Sequence, residues 1–286
     1  MAIIVQMMLY LVRSLISAEL SRRLGVNAAL AISCVMTTVS YLIVIAVYTK
    51  VGEVSVPSLL TKTYEHDNTH NPYNLVLLFV FALGMLVTTV NLVGSLTEAV
   101  LGAVKITSAN VSYGDPMTLV LMFLKNVILA SFFEELLFRG AMLNAFEGKS
   151  RYRTVLLSAL LFSVMHCNFH QIPYAFAAGI LLASLVMITG SVLFGIALHF
   201  AQNLISFSFT LLDLLLKDNV YELVSNVAFF VFLAVAVVGV FWWAVSQKQH
   251  GSTKINKPAA KKNGGYPVFE ITVYLVIGLV IATLSL

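Results

Sequence analysis

The chain has 286 residues, of which 59% are hydrophobic and only 10% charged, with a mean hydropathy of +0.93. A water-soluble globule carries roughly 25% charged residues to cover its surface, so this composition excludes a soluble enzyme, a coiled coil and a disordered regulator, and leaves the bilayer as solvent. The net charge of +4 does not point to nucleic acid, because the basic residues gather in short connections between apolar runs, where they read as positive-inside loops beside anionic lipid.

A spanning helix needs about 20 mostly apolar residues. In chain order, segments near residues 2–20, 28–48, 73–95, 116–144, 154–168, 172–188, 191–212, 222–246 and 268–286 approach that length. They predict an all-α fold, a polytopic transmembrane helix bundle with about eight transmembrane helices. The first segment is interrupted by Arg13 and Glu19 and lacks the basic start and cleavage site of a signal peptide. It reads either as a span or as an amphipathic helix in the interface. The stretch 96–115 (LTEAVLGAVKITSANVSYGD) is too short and polar to span, and predicts an interfacial or re-entrant helix. No internal repeat is visible, so the inverted-repeat signature of many transporters is missing. Cys34 and Cys167 lie in apolar runs without CxxC spacing, which predicts neither a disulfide framework nor a thiolate zinc site.

Lysine and arginine set the orientation. Lys149, Arg151 and Arg153 crowd one short loop, and Lys248, Lys254, Lys257, Lys261 and Lys262 crowd the linker before the last segment. Four predicted spans separate the two loops, which puts both on one side, and the positive-inside rule makes that side cytoplasmic. The same count puts Arg22 and Arg23 outside, against the rule, unless one early segment does not span.

Ionisable groups at membrane depth cost about 2.5–3.5 kcal/mol each on insertion scales, so each needs a reason. The apolar runs contain Lys125, Glu134, Glu135, Arg139, His166 and His199. Glu135 and Arg139, at i and i+4, share a helix face and can pair. Glu134 is turned about 100° away, and its carboxylate is a candidate general base. His166 closes the run Phe162-Ser163-Val164-Met165-His166. His199 and Asn203 share a face at i, i+4 spacing, where the amide can hold a water, orient the imidazole or stabilise an oxyanion. Each feature alone has a structural explanation, as an ion pair, a core histidine or a polar clasp between helices. Three such sites on successive helices of one bundle fit hydrolytic chemistry, with two imidazoles and a carboxylate either binding zinc or activating water directly. Lys125 reads as a snorkelling residue, His170 as part of a turn that could extend the His166 face, and His66, His70 and His250 as solvated loop residues. The sequence holds no G-x-S-x-G, H-E-x-x-H or Walker A motif.

The ordered set Glu134-Glu135-x-x-x-Arg139, Phe162-x-x-x-His166 and His199-x-x-x-Asn203 resembles the CAAX protease and bacteriocin-processing (CPBP) family of intramembrane endopeptidases, which includes the type II CAAX prenyl endopeptidases. The flanks are similar too: Leu136-Leu137-Phe138 and Gly140 around the first motif, Gly179 between the second and third, and Thr189-Gly190-Ser191 before the third. The resemblance covers about residues 116–212. It implies a catalytic helical core over 116–212, preceded by N-terminal membrane helices and a polar loop over 1–115. C-terminal membrane helices with a basic cytoplasmic linker would occupy 213–286.

It further implies a cavity open to the cytoplasm, with Glu134 and His166 activating a water and His199 and Asn203 stabilising the oxyanion. Glu135 and Arg139 would form a supporting pair, or Arg139 would meet a substrate carboxylate. A zinc ion on Glu134, His166 and His199 and a metal-free glutamate mechanism both stay open. The implied substrate is a membrane-embedded or lipidated peptide or protein cleaved on the cytoplasmic side of a cell membrane, a bacterial plasma membrane by compactness and loop length. Some members with this fold are scaffolds that bind a partner membrane protein such as a sensor kinase or a cell-wall enzyme. A non-catalytic regulator is therefore the alternative to the peptidase.

Overall fold

The computed structural model describes residue 19 and residues 21–61, 72–102, 115–145 and 150–249. The expected segments 2–20 (Glu19 excepted) and 268–286, the basic linker from Lys254 onward, and His66, His70 and His250 lie outside these residues. The described chain is helical, without strands. We number the helices α1 (Val26–Gly52), α2 (Val56–Thr61), α3 (Pro72–Leu101), α4 (Pro116–Ala145), α5 (Arg151–Val164), α6 (Ile172–Thr189), α7 (Val192–Leu215) and α8 (Asp218–Gln249). Among the described residues, six helices (all but α2 and α5) are long and apolar enough to cross a membrane.

Three contacts fix the direction of the bundle. Asn27, at the start of α1, hydrogen-bonds Asp115 and accepts from Thr118 Oγ1 at 2.6 Å, so α1 and α4 begin on the same face. Asp115 also caps α4 by accepting from the Met117 backbone N–H. The Asn27 amide first, and that N–H second, hold the Asp115 carboxyl below the usual carboxylate range. Glu98, near the end of α3, meets His170 Nδ1 in the α5–α6 turn at 3.0 Å, while Phe81 in the first half of α3 packs on Trp242 in the last half of α8. One face therefore carries Asn27, Glu98, Asp115, His170 and the α7–α8 turn; the opposite face carries Lys50, Arg151 and Arg153. Arg22 and Arg23 lie with Asp115, each paired with Glu19.

Two expectations change in detail. The run expected over 154–168 is a helix of only 14 residues, ending at Val164. It rises about 21 Å at 1.5 Å per residue, and the chain then turns through Cys167, a non-glycine residue at φ 49, and returns as α6. The stretch expected to be interfacial from residue 96 instead continues α3 to Leu101; residues 103–114 lie outside the described chain.

Side chains of α8 such as Phe230 and Phe241 are 64% and 69% exposed, a surface that only lipid can cover without the cost of hydrating it. Inside, Tyr41 of α1 stacks on Phe133 of α4 with ring centroids 5.4 Å apart, and this pair joins Leu137, Phe138 and Phe162 in the largest buried cluster. Lipid offers helices no hydrophobic reason to associate, so close packing at small residues has to hold them together. Gly84 and Gly239 provide it between α3 and α8. A Cβ on Gly84 would stand 2.7 Å from Val235 Cγ1, and one on Gly239 would run into Phe81. Gly239→Val should separate α8 from α3 and destabilise the protein by about 1–3 kcal/mol, the usual cost of overpacking, read as a lower thermal midpoint in detergent; an unchanged midpoint contradicts this packing.

Candidate active site

Two wide turns of π-helix, Leu124–Leu129 and Leu136–Met142, flank the Glu134–Glu135 turn of α4. The backbone N–H of Ala130 donates to Lys125 O, and that of Leu143 to Phe138 O, five residues back in each case. Such bulges re-phase a helix, loosen its carbonyls and gather at functional sites.

Glu135 and Arg139 are fully buried, and Arg139 Nη1 donates to Glu135 Oε1 at 2.7 Å, as their spacing predicts. Three neighbours complete the pair. Arg139 Nη2 donates to the Gly179 carbonyl at 3.3 Å, the guanidinium carbon lies 4.4 Å from the centroid of the Phe162 ring, and His199 Nδ1 lies 2.9 Å from Glu135 Oε1. A guanidinium on an aromatic face is attracted by the ring quadrupole, the more so where water is absent. Gly179 allows this arrangement because a Cβ there would lie 3.0 Å from the Ala159 Cα and 3.2 Å from Phe162 Cδ1.

Glu134 faces elsewhere, into a cavity of about 510 Å³ that Phe162, His166, His199 and Asn203 also line. Its Oε2 is 4.0 Å from His199 Nε2, a separation that one water can bridge with two ordinary hydrogen bonds. Both imidazoles are oriented from behind. His166 Nδ1 lies 2.9 Å from the Phe162 carbonyl, which only accepts, so the proton sits on Nδ1 and Nε2 is left with a lone pair. His199 Nδ1 donates to the Glu135 carboxylate in the same way, which leaves its Nε2 towards Glu134. Phe162 holds both rings edge-on, with centroid distances of 5.0 Å to His166 and 5.9 Å to His199. The phenylalanine of the second motif thus acts on all three, Arg139 included.

Asn203 also reaches the cavity. Its Nδ2 donates to Asn126 O at 2.9 Å and to Ser131 Oγ at 3.2 Å, so both amide protons have acceptors, one of them a carbonyl of the first wide turn. Lys125 lines the same cavity, whereas it reads as purely structural from sequence. His170 stands apart from Glu134, held by Glu98.

Several residues of the site escape the motif reading. Ser131 lies one turn before Glu135, and its hydroxyl is the only sequence signal of that contact. Gln202, beside Asn203, is 5% exposed and lines the cavity. Gly195 lies one turn before His199 and is required by space: a Cβ there would stand 2.6 Å from Val186 Cγ2 and 3.0 Å from Glu135 Oε2. The Thr189-Gly190-Ser191 turn that starts α7 has a plain reason. Gly190 ends α6 in the left-handed region at φ 68, and Ser191 Oγ caps α7 by accepting from the Phe194 N–H.

Among the described residues no three His, Cys, Asp or Glu side chains stand together closely enough to hold a metal ion. Glu134, His166 and His199, the zinc set that the resemblance implies, therefore do not form a ready metal site in this arrangement.

A family model described as Rce1-like, type II CAAX prenyl endopeptidase Rce1-like, matches residues 116–205. The stretch contains all three motifs, so the resemblance read from Glu134, Glu135, Arg139, His166, His199 and Asn203 is borne out. No curated protein and no solved structure matches the chain.

The space at Gly195 gives a test. Gly195→Ala should destabilise the protein by about 1–3 kcal/mol, the usual cost of an overfilled core, read as a lower thermal midpoint, and trimming the facing side chain with Val186→Ala should restore part of the loss. Full stability in Gly195→Ala alone contradicts the close approach of α7 to Glu135.

Proposed function

We propose that this protein is an intramembrane endopeptidase that hydrolyses a membrane-embedded or lipid-anchored peptide with a water activated by Glu134. The observation that carries this reading is the division of labour between two adjacent carboxylates. Glu135 is fully buried and engaged by Arg139 and His199, while Glu134 is left for the cavity and faces His199 Nε2 across 4.0 Å. A structural ion pair needs one acid, and the second is placed where a water and a peptide carbonyl can reach it.

In this reading a water lies between Glu134 and a histidine Nε2. Glu134 takes its proton as the hydroxide adds to the scissile carbonyl, and later returns that proton to the leaving amine. His166 Nε2, fixed by the Phe162 carbonyl behind it, accepts a hydrogen bond from the water. His199 serves as donor to the oxyanion in its imidazolium form, with an Nε2 proton taken from bulk water before the attack and kept through the cycle, and the Glu135 carboxylate behind Nδ1 stabilises that charge. Asn203 holds the first wide turn of α4 at rest, and release of Ser131 frees one amide N–H to join the oxyanion site. The glutamate mechanism, rather than a metal-centred one, is favoured by the lack of a converging ligand trio among the described residues.

The test is cleavage of a panel of membrane-anchored peptides by the purified protein and by Glu134→Gln, with and without chelator. Loss of the general base should lower turnover about 100-fold or more, and chelator should leave the wild type unchanged. Equal cleavage by both proteins overturns the role of Glu134, and inhibition by chelator overturns the metal-free mechanism.

A further inference from the structure

Beyond His199, α7 carries a polar stripe that the chemistry at Glu134 does not use. Gln202, Ser206, Thr210 and Asp213 follow one another at spacings of four, four and three residues, which puts them on one helix face. Polar groups inside a membrane bundle need a reason. Thr210 has a local one, since its Oγ1 donates to the Ser206 carbonyl at 3.2 Å. Gln202 is only half satisfied. It is 5% exposed, its Nε2 donates to Ser206 Oγ at 3.3 Å, and its Oε1 is buried with no hydrogen-bond partner among the described residues. A buried acceptor left unpaired is costly, and a partner that supplies an N–H removes that cost.

The stripe borders a second cavity of about 440 Å³ between α3, α7 and α8, a size within the roughly 300–1,000 Å³ of ligand pockets. Gln202 and Ser206 line both this cavity and the one that holds Glu134, so the two adjoin along α7. Asn91 of α3 and Tyr221 and Ser225 of α8 add polar groups to the second cavity, and Phe229 and Phe232 of α8 add apolar ones. Among the described residues that line it, Asp213 alone carries a charge, and its side chain is exposed.

We infer that the second cavity is a subsite for the same peptide that Glu134 attacks. The peptide continues from Glu134 along α7, one of its backbone N–H groups donates to Gln202 Oε1, and a lysine or arginine side chain further along pairs with Asp213. This subsite rests on the peptidase reading above and narrows its substrates to peptides with a basic residue at a set distance from the scissile bond. Gln202 and Asp213 are eleven positions apart, which is about 16 Å along a helix. An extended chain covers about 3.3 Å per residue, so the basic residue stands about five residues beyond the one at Gln202. The mixed lining suits such a segment, with hydroxyls and amides for its backbone and aromatic rings for the stem of a lysine.

The test is binding of fluorescent, lipid-anchored peptides of alanine and leucine, with a single lysine moved one position at a time and the anchor at either end. Binding is read on the Glu134→Gln protein, where turnover does not interfere, alone and combined with Gln202→Met or Asp213→Lys; wild-type cleavage of the same peptides is read in parallel. One lysine position should bind about threefold tighter than the others, the size of an exposed ion pair, and Asp213→Lys should transfer that preference to a glutamate at the same position. Gln202→Met should weaken binding about 10-fold. Methylating one backbone nitrogen, about five residues from the preferred lysine, should weaken it as much and add little in the Gln202→Met protein, an effect that a purely structural glutamine does not produce. Binding indifferent to the lysine position and to Asp213→Lys, or equal with and without Gln202→Met, overturns the subsite and leaves wild-type cleavage standing. Neither binding nor cleavage of any peptide overturns the subsite and the peptidase reading together. Asp213 is exposed, so its variant reports even where Gln202→Met fails to fold.

Discussion

The buried pair of Glu135 and Arg139 is the constraint on which the rest of the site depends. Two full charges in hydrocarbon are tolerated only when each is paired and its remaining hydrogen-bonding capacity is met. The helices around the pair supply most of that environment, although Glu135 Oε2 is buried with no hydrogen-bond partner among the described residues. α6 brings the Gly179 carbonyl, α5 the face of Phe162, and α7 the imidazole of His199. Glycines at 179 and 195 admit the helices to the required distance. Breaking one partner of such a pair leaves an uncompensated charge, which is far more costly than replacing both. The pair therefore fixes which helices are neighbours and at what depth, and the placement of the cavity-facing side chains follows from it. His199 meets Glu134 because its other nitrogen is tied to Glu135.

The wide turns of α4 connect this constraint to the cavity. In an unbroken α-helix, polar side chains at 125, 126, 131, 134, 135 and 139 would wind around the axis at a fixed 100° per residue. The two π segments change that phase on either side of the acids, so that Ser131, Glu135 and Arg139 are buried while Asn126 and Glu134 border the cavity. Asn203 ties α7 to the first wide turn through the Asn126 carbonyl, a link between a loosened backbone group and a polar side chain of the next motif.

Much of this was legible in the sequence. The apolar composition predicts an all-α membrane bundle, the i, i+4 spacing predicts the Glu135–Arg139 pair, and the three motifs are brought to one cavity by the fold. The remainder depends on information that spacing does not carry. Neither wide turn of α4 is marked by proline, and hydropathy does not reveal that the run from 154 to 168 stops at Val164, because Met165 and Cys167 are as apolar as a helix interior. Gly195 becomes meaningful only once Val186 and Glu135 are seen across the helix interface.

The central claim is that adjacent carboxylates do different work, Glu134 chemical and Glu135 structural. Its most direct test measures thermal stability and peptide cleavage together for Glu134→Gln and Glu135→Leu. The expected result is a wild-type thermal midpoint with lost cleavage for Glu134→Gln. For Glu135→Leu the expectation is a loss of stability of about 3–5 kcal/mol, the cost of stranding a buried charge, recovered in large part by Arg139→Met on the same chain. A stable Glu135→Leu protein, or a Glu134→Gln protein that melts early and cleaves normally, would contradict the division between the two acids.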